Sequence, residues 1–184
     1  MFLDLQSKIL LAVLVTILLC AQATQAQTWR RFSPPNRSFI IELPARPKPV
    51  KNKEDSPQTL FNLGKAKSGY AYKVNLGFEK DPELLVGVTD LSKPLSDSEF
   101  DKTVDSLMLF VAGDDKHFSR KTDLVVGGFH GRDFMYDKGV MRGRALFMNS
   151  GRRIYLLIVG TEVDDDAISS TTVQRIFKSF RPLK

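Results

Sequence analysis

Residues 154–159 read IYLLIV, an apolar run with no polar residue set between its members. A strand wet on one side alternates apolar and polar residues, because successive side chains point to opposite faces. A strand that is apolar on both sides is covered on both faces. The run therefore predicts a sheet packed between two layers. Its neighbours supply that sheet: Thr122 to Val126, Gly131 to Tyr136, Met141 to Met148 and Arg153 to Thr161 read as successive strands. Asp137-Lys138-Gly139 and Asn149-Ser150-Gly151 join them as hairpin turns, each offering a glycine for positive φ.

Working toward the N-terminus, Trp29 to Phe32 and Phe39 to Leu43 read as short strands separated by Pro34-Pro35-Asn36. Tyr70, Tyr72, Val74 and Leu76 alternate with Ala71, Lys73 and Asn75, and Leu84 to Val88 suggests a further strand. Residues 44–57 carry four prolines and no aromatic residue, and are expected to form a mobile loop. They do not mark a domain boundary, because the segment before them is too short to fold alone.

Two helices are predicted. Ser96-Asp97-Ser98-Glu99 is a capping box, followed by the stripe Phe100, Val104, Leu107, Met108 and Val111, with Gly113 as the stop. Near the C-terminus Val173, Ile176, Phe177 and Phe180 form a second stripe, which would cover one face of the sheet. Asp164, Asp165 and Asp166 are expected at the start of this helix, near the positive end of its dipole, with Arg181 and Lys184 at its far end. The aspartate run lacks the alternating spacers and glycine of a calcium loop.

The first residues bear on compartment. Ile9 to Leu19 is apolar except for Thr16, follows Lys8, and precedes the small-residue stretch AQATQA, the order of a secretory signal peptide. At about 1.5 Å per residue this run reaches roughly 16 Å, short of a hydrocarbon core of about 30 Å. Residues 1–26 are expected to be cleaved, after Ala26 in preference to Ala23, leaving 27–184 as one periplasmic or secreted domain with no permanent membrane span. Cys20 is the only cysteine, and Leu19 before it argues against a lipid anchor. The mature chain then has no thiol nucleophile, no thiolate metal ligand and no disulfide, so its core must hold it together. The net charge of +6 is scattered along the chain, without the aromatic-and-basic pattern of a nucleic-acid module. A basic exported protein is suited to an anionic envelope component or an acidic protein partner.

Polar residues are densest in GGFHGRDFMYDKGVMRGRALF, residues 127–147. Along an extended strand His130, Arg132, Phe134 and Tyr136 share one side, and Asp133, Met135 and Asp137 the other. His130 and Asp133 thus point apart, no local serine completes a triad, and no nucleophile-elbow motif occurs. A zinc site would need His117 and His130 together with carboxylates. No phosphate loop or dinucleotide fingerprint is present, so neither a metal nor a cofactor is expected. Arg132, Arg142 and Arg144 are placed to pair with Asp133 and Asp137 across neighbouring strands. Arg132, Asp133, Arg142 and Arg144 are also the candidate partner-binding surface, with the 44–57 loop as a second candidate. Asn36-Arg37-Ser38 is a glycosylation sequon that matters only in a eukaryotic secretory pathway.

Several stretches are similar to the exported domains of the PsbP-like superfamily. They are Trp29 to Phe32 with Phe39-Ile40-Ile41-Glu42-Leu43-Pro44, then Gly128-Phe129-His130-Gly131-Arg132-Asp133-Phe134. Arg144 to Phe147, Arg153 to Leu157 and Phe177-Lys178-Ser179-Phe180 complete the likeness. The resemblance covers nearly all of residues 27–184. It implies an α+β fold, an antiparallel sheet covered by helices on both faces in an α/β/α sandwich. It also implies action by binding other proteins, with no catalytic motif to carry over. The expected function is a non-enzymatic interaction module of the cell envelope or exterior. The alternatives are a small-ligand carrier with Tyr70, Tyr72 and Tyr136 lining a cavity, and a hydrolase with scattered residues that uses His130.

Overall fold

The computed structural model describes residues 28–51, 66–76, 83–112, 117–139, 141–162, 168 and 170–183. The expected signal peptide, Gly113 and the run Asp164–Asp166 lie outside these residues, as do 52–57 of the proline-rich segment. Among the described residues ten strands and two helices follow in chain order: β1 Arg30–Phe32, β2 Phe39–Leu43, β3 Lys48–Pro49, β4 Ala66–Asn75, β5 Glu83–Leu91, α1 Asp97–Ala112, β6 Phe118–Val126, β7 Phe129–Lys138, β8 Met141–Asn149, β9 Arg153–Glu162, α2 Thr171–Ser179 and β10 Arg181–Pro182. Strands β3-β4-β5-β9-β8-β7-β6 form a seven-stranded sheet and β1-β2-β10 a three-stranded one, an α+β arrangement that is mostly strand. All the strand pairs are antiparallel. Neither helix is long and apolar enough to cross a membrane.

The IYLLIV run is the middle of β9, and β9 is the central strand of the large sheet. Tyr155, Leu157 and Val159 enter one core with Phe39, Ile41 and Leu43 of β2 and Val173, Ile176 and Phe177 of α2. Ile154 and Leu156, with Ile158 packed alongside, enter a second core with Phe100, Val104 and Met108 of α1. The missing alternation thus reflects two cores, one on each face. Each fully buried side chain of this size contributes about 1.5–3 kcal/mol. On the first face the three-stranded sheet shares the packing with α2.

The expected helix N-terminus at Ser96 is present. Ser96 Oγ accepts from the Glu99 amide at 3.3 Å, and Glu99 Oε2 accepts from the Ser96 amide at 3.0 Å. The second helix differs from expectation. It begins at Thr171, its cap is Ser170, whose side chain accepts from the Val173 amide, and its first turn holds no acidic residue. The aspartates, expected at the helix start, are thus not in its first turn, and a hydroxyl caps it. Arg181 lies at the far end as expected, where its Nη1 donates to the last-turn carbonyl of Lys178 at 2.7 Å, and it belongs to β10, which pairs with β2; Lys184 lies outside the described residues.

The proline-rich segment is also not wholly loop. Lys48 and Pro49 pair with Lys73 and Tyr72 of β4, and the Val50 amide donates to Ala71 O at 2.9 Å. Pro49 is tolerated because β3 is an edge strand, where a missing N–H costs no ladder bond. Between β6 and β7 the two-residue turn Gly127-Gly128 has φ of 60° and 84°, the positive values that a tight hairpin of this twist requires. The turn glycines Gly139 and Gly151 also have positive φ.

Candidate functional site

The β7–β8 hairpin carries the charged residues singled out in the sequence, and the structure divides them between two faces. On the α1 face, His130 Nε2 lies 2.8 Å from Asp101 Oδ1, and the His130 ring packs edge-on against Phe100. Arg132 Nη1 lies 3.2 Å from Asp101, and Nη2 lies 3.4 Å from Asp105. Its Nε is 2.7 Å from Asp123 Oδ1 on β6, an ionic contact out of line for a hydrogen bond. Partial burial pushes the Asp101 carboxyl up, but hydrogen bonds from His130 and Arg132 outweigh it and hold it below its ordinary value. Three aspartates thus surround one arginine and one histidine, and the cluster pins α1 to the sheet.

On the other face Asp133 is 3% exposed and receives two bonds from Arg144, Nε to Oδ1 at 3.0 Å and Nη2 to Oδ2 at 2.9 Å. The Arg144 guanidinium also stacks 4.3 Å over the Phe177 ring of α2. Planar charge and aromatic face together close this edge of the core. Arg142 pairs with Asp137, its opposite in the β7–β8 register, at 3.1 Å, and both are more exposed. The four candidate residues therefore do not form one surface. Arg132 lies on one side of the sheet, and Asp133, Arg142 and Arg144 on the other. Each of the three arginines already holds a carboxylate.

The two histidines sit at opposite ends of β7, with His117 Nδ1 2.9 Å from the Asp137 carbonyl oxygen. At about 3.3 Å per residue the span from residue 130 to 137 is roughly 23 Å, too long for a shared ion. Among the described residues no group of three or more histidine, cysteine, aspartate or glutamate side chains could hold a metal. The three tyrosines named for a ligand cavity do not meet either. Tyr70 and Tyr72 pack edge-to-face on the β2 side, whereas Tyr136 belongs to the α1 core and lies flat over Gly143.

A different constellation lies at the end of the sheet where β4 and β9 begin. Ser68, Asp90 and Arg153 stand opposite one another across β4, β5 and β9. Both Asp90 oxygens are used: Arg153 Nε donates to one at 2.7 Å and Ser68 Oγ to the other at 2.9 Å. The hydrogen bond to Asp90 raises the Arg153 pKa against a smaller opposing effect of burial. Lys67 precedes Ser68 at a register shift, since Ala66 pairs with Leu91 and Ser68 with Asp90. Lys67 is thus the extra residue of a β-bulge, a feature that re-aims a side chain. Arg152 comes from the β8–β9 turn.

These groups line a cleft of ≈ 560 Å³, walled on its apolar side by Leu91, Phe129 and Leu183 and with Ser150 at its rim. Lys67 and Arg152 are exposed, and their side chains meet no carboxylate among the described residues. Beneath them Tyr155 donates to Leu183 O at 2.9 Å. Burial, opposed by hydrogen bonds from Arg153 and Ser150, raises the Tyr155 phenol above its ordinary value. On the far side of Phe129 and Ser150 a second cleft of ≈ 530 Å³ is lined by Leu95, Val125, Gly128, His130 and Asn149. Val125, at the β6–β7 turn, is 71% exposed.

No protein-family model and no curated protein matches the chain. Solved structures do. A solution structure of cyanobacterial PsbP (CyanoP) from Synechocystis sp. PCC 6803 superposes with a TM-score of 0.59 at 13% identity, over 88% of this chain and 96% of that one. A crystal structure from Bacteroides thetaiotaomicron VPI-5482 gives 0.49 at 6% identity, over 84% of this chain and 48% of that one. A protein of unknown function from Pseudomonas aeruginosa gives 0.45 at 12% identity, over 85% and 98%. The chain has a PsbP-like fold.

Proposed function

We propose that this protein is an exported, non-enzymatic interaction module of the cell envelope or exterior, an α/β/α sandwich that docks an anionic partner protein at the β4–β9 end of its sheet. One observation carries the reading. The hairpin arginines are neutralised by carboxylates of their own domain, while Lys67 and Arg152 stand outward beside Arg153 and meet no carboxylate among the described residues. A surface cation left uncompensated costs little in water and is available to a partner of opposite charge. His130 is taken up by Asp101 as a clamp on α1, which supports a structural role for the group most suited to acid–base work.

The test is capture of envelope proteins from the native host, cross-linked to the wild type and to charge-reversed variants. Lys67→Glu with Arg152→Glu is expected to abolish recovery of the partner, and Arg142→Glu to leave it unchanged. The opposite ranking would move the docking surface to the hairpin. Sequencing of the exported protein's N-terminus tests export, with Gln27 expected as the first residue.

A further inference from the structure

We propose that the cleft between Lys67, Arg152 and Arg153 is a binding site for a small organic anion, one carboxylate or phosphate group on a short apolar body. The inference rests on the docking reading in sharing Lys67 and Arg152, and it adds what chemistry the centre of that surface recognises.

The charge balance sets the sign of the ligand. Among the described residues three cationic side chains and a single carboxylate line the cleft, and that carboxylate, Asp90, has both oxygens occupied by Arg153 and Ser68. Asp90 therefore fixes Arg153 in place and offers no free oxygen to an incoming cation. Arg153 is held by Asp90 at its Nε and also bonds the Tyr155 hydroxyl, and with five N–H donors on the guanidinium it keeps donors for a further acceptor. Ser68, its proton committed to Asp90, and Ser150 also line the cleft.

Backbone geometry points the same way. A regular ladder would send Lys67 to the face opposite Ser68, but the bulge inserts it as an unopposed residue whose side chain lines the cleft. Arg152 is placed from the other side by the turn that Gly151 permits at φ of 81°. Cations from β4 and from the β8–β9 turn thus converge on one volume from opposite rims.

The walls set the rest of the ligand. Leu91 and Phe129, both buried, and Leu183, anchored by its amide to Ser38 O at 2.8 Å and by its carbonyl to Tyr155, supply the apolar lining. The volume of ≈ 560 Å³ falls within the range of about 300–1,000 Å³ typical of small-molecule sites. An inorganic anion would leave these walls bare.

Phenyl phosphate is the probe, titrated into the whole mature protein and followed by calorimetry and amide chemical shifts. Saturable binding is expected, with shifts concentrated at Ser68, Arg152 and Arg153. Inorganic phosphate is expected to bind about tenfold more weakly for want of the ring, and phenol to show no saturation. Lys67→Gln and Arg152→Gln are each expected to weaken phenyl phosphate binding about tenfold, the worth of one charge-assisted hydrogen bond. Both side chains are exposed, so unchanged amide shifts elsewhere will show that the fold is kept. Shifts scattered over the whole basic surface, or a double variant that titrates like the wild type, overturn the site. If phenyl phosphate fails to bind but partner capture still depends on Lys67 and Arg152, the inference falls and the docking reading stands. Binding with capture indifferent to both residues does the reverse.

Discussion

Arg144 and Arg152 lie eight positions apart in the chain, on β8 and on the turn that follows it, and the fold uses them in opposite ways. Arg144 is 18% exposed, grips a carboxylate that is 3% exposed with two hydrogen bonds, and lies flat on Phe177. Arg152 is exposed, meets no carboxylate among the described residues, and borders a cleft. The difference shows that a cluster of basic residues in a sequence is not yet a basic surface. What decides is whether each cation's counter-charge comes from the same domain.

The comparison can be broken by removing charges one at a time. The largest effect is expected at Arg144. Arg144→Gln takes from the buried Asp133 both hydrogen bonds of its arginine, and removing one member of a buried pair costs about 3–5 kcal/mol. Urea unfolding should show a midpoint shift of that size with an unchanged slope. Next comes Arg132, which bridges Asp101, Asp105 and Asp123 while 14% exposed. Arg132→Gln is expected to cost about 1–2 kcal/mol, between the values for exposed and buried pairs.

The same cluster predicts a pH dependence. The Asp101 carboxyl is held below its ordinary value, so the folded state favours its ionised form. The resulting stability is fully present above that ordinary value and is lost as pH falls through the depressed one. Wild type and Asp101→Asn should therefore differ most near neutral pH and converge on acidification, which urea midpoints at several pH values would show. A gap that stays constant down to the acid limit would remove Asp101 from the clamp.

Smaller still, Arg142→Gln is expected to cost about 0.5 kcal/mol, since the pair with Asp137 is half exposed. Smallest are Lys67→Gln and Arg152→Gln, expected to leave stability within about 0.5 kcal/mol of the wild type. Their effect should appear in binding alone.

Much of the fold could be read locally. The unbroken run in β9, the glycines of two hairpin turns and the Ser96–Glu99 box each depend on residues a few positions apart. Strand periodicity also separated His130 from Asp133. The departures are where a distant element intervenes. Ser170 competes with three aspartates to start α2, and nothing local ranks a hydroxyl above that run. Lys48 and Pro49 become a strand only because β4 offers them an edge. Asp101 and Asp105 stand one helical turn apart on α1, a spacing visible in the sequence, but their meeting with Arg132 depends on how α1 lies across β7. The sheet-end cleft was least legible of all, because it depends on a one-residue register shift at Lys67. That shift is a property of the β4–β5 pairing, and no motif marks it.

The division of labour between Arg144 and Arg152 is tested most directly by measuring the urea-unfolding free energies of Arg144→Gln and Arg152→Gln side by side. The structure predicts a loss of about 3 kcal/mol or more for the first and within about 0.5 kcal/mol of the wild type for the second. Equal losses, or a larger loss at Arg152, would contradict it.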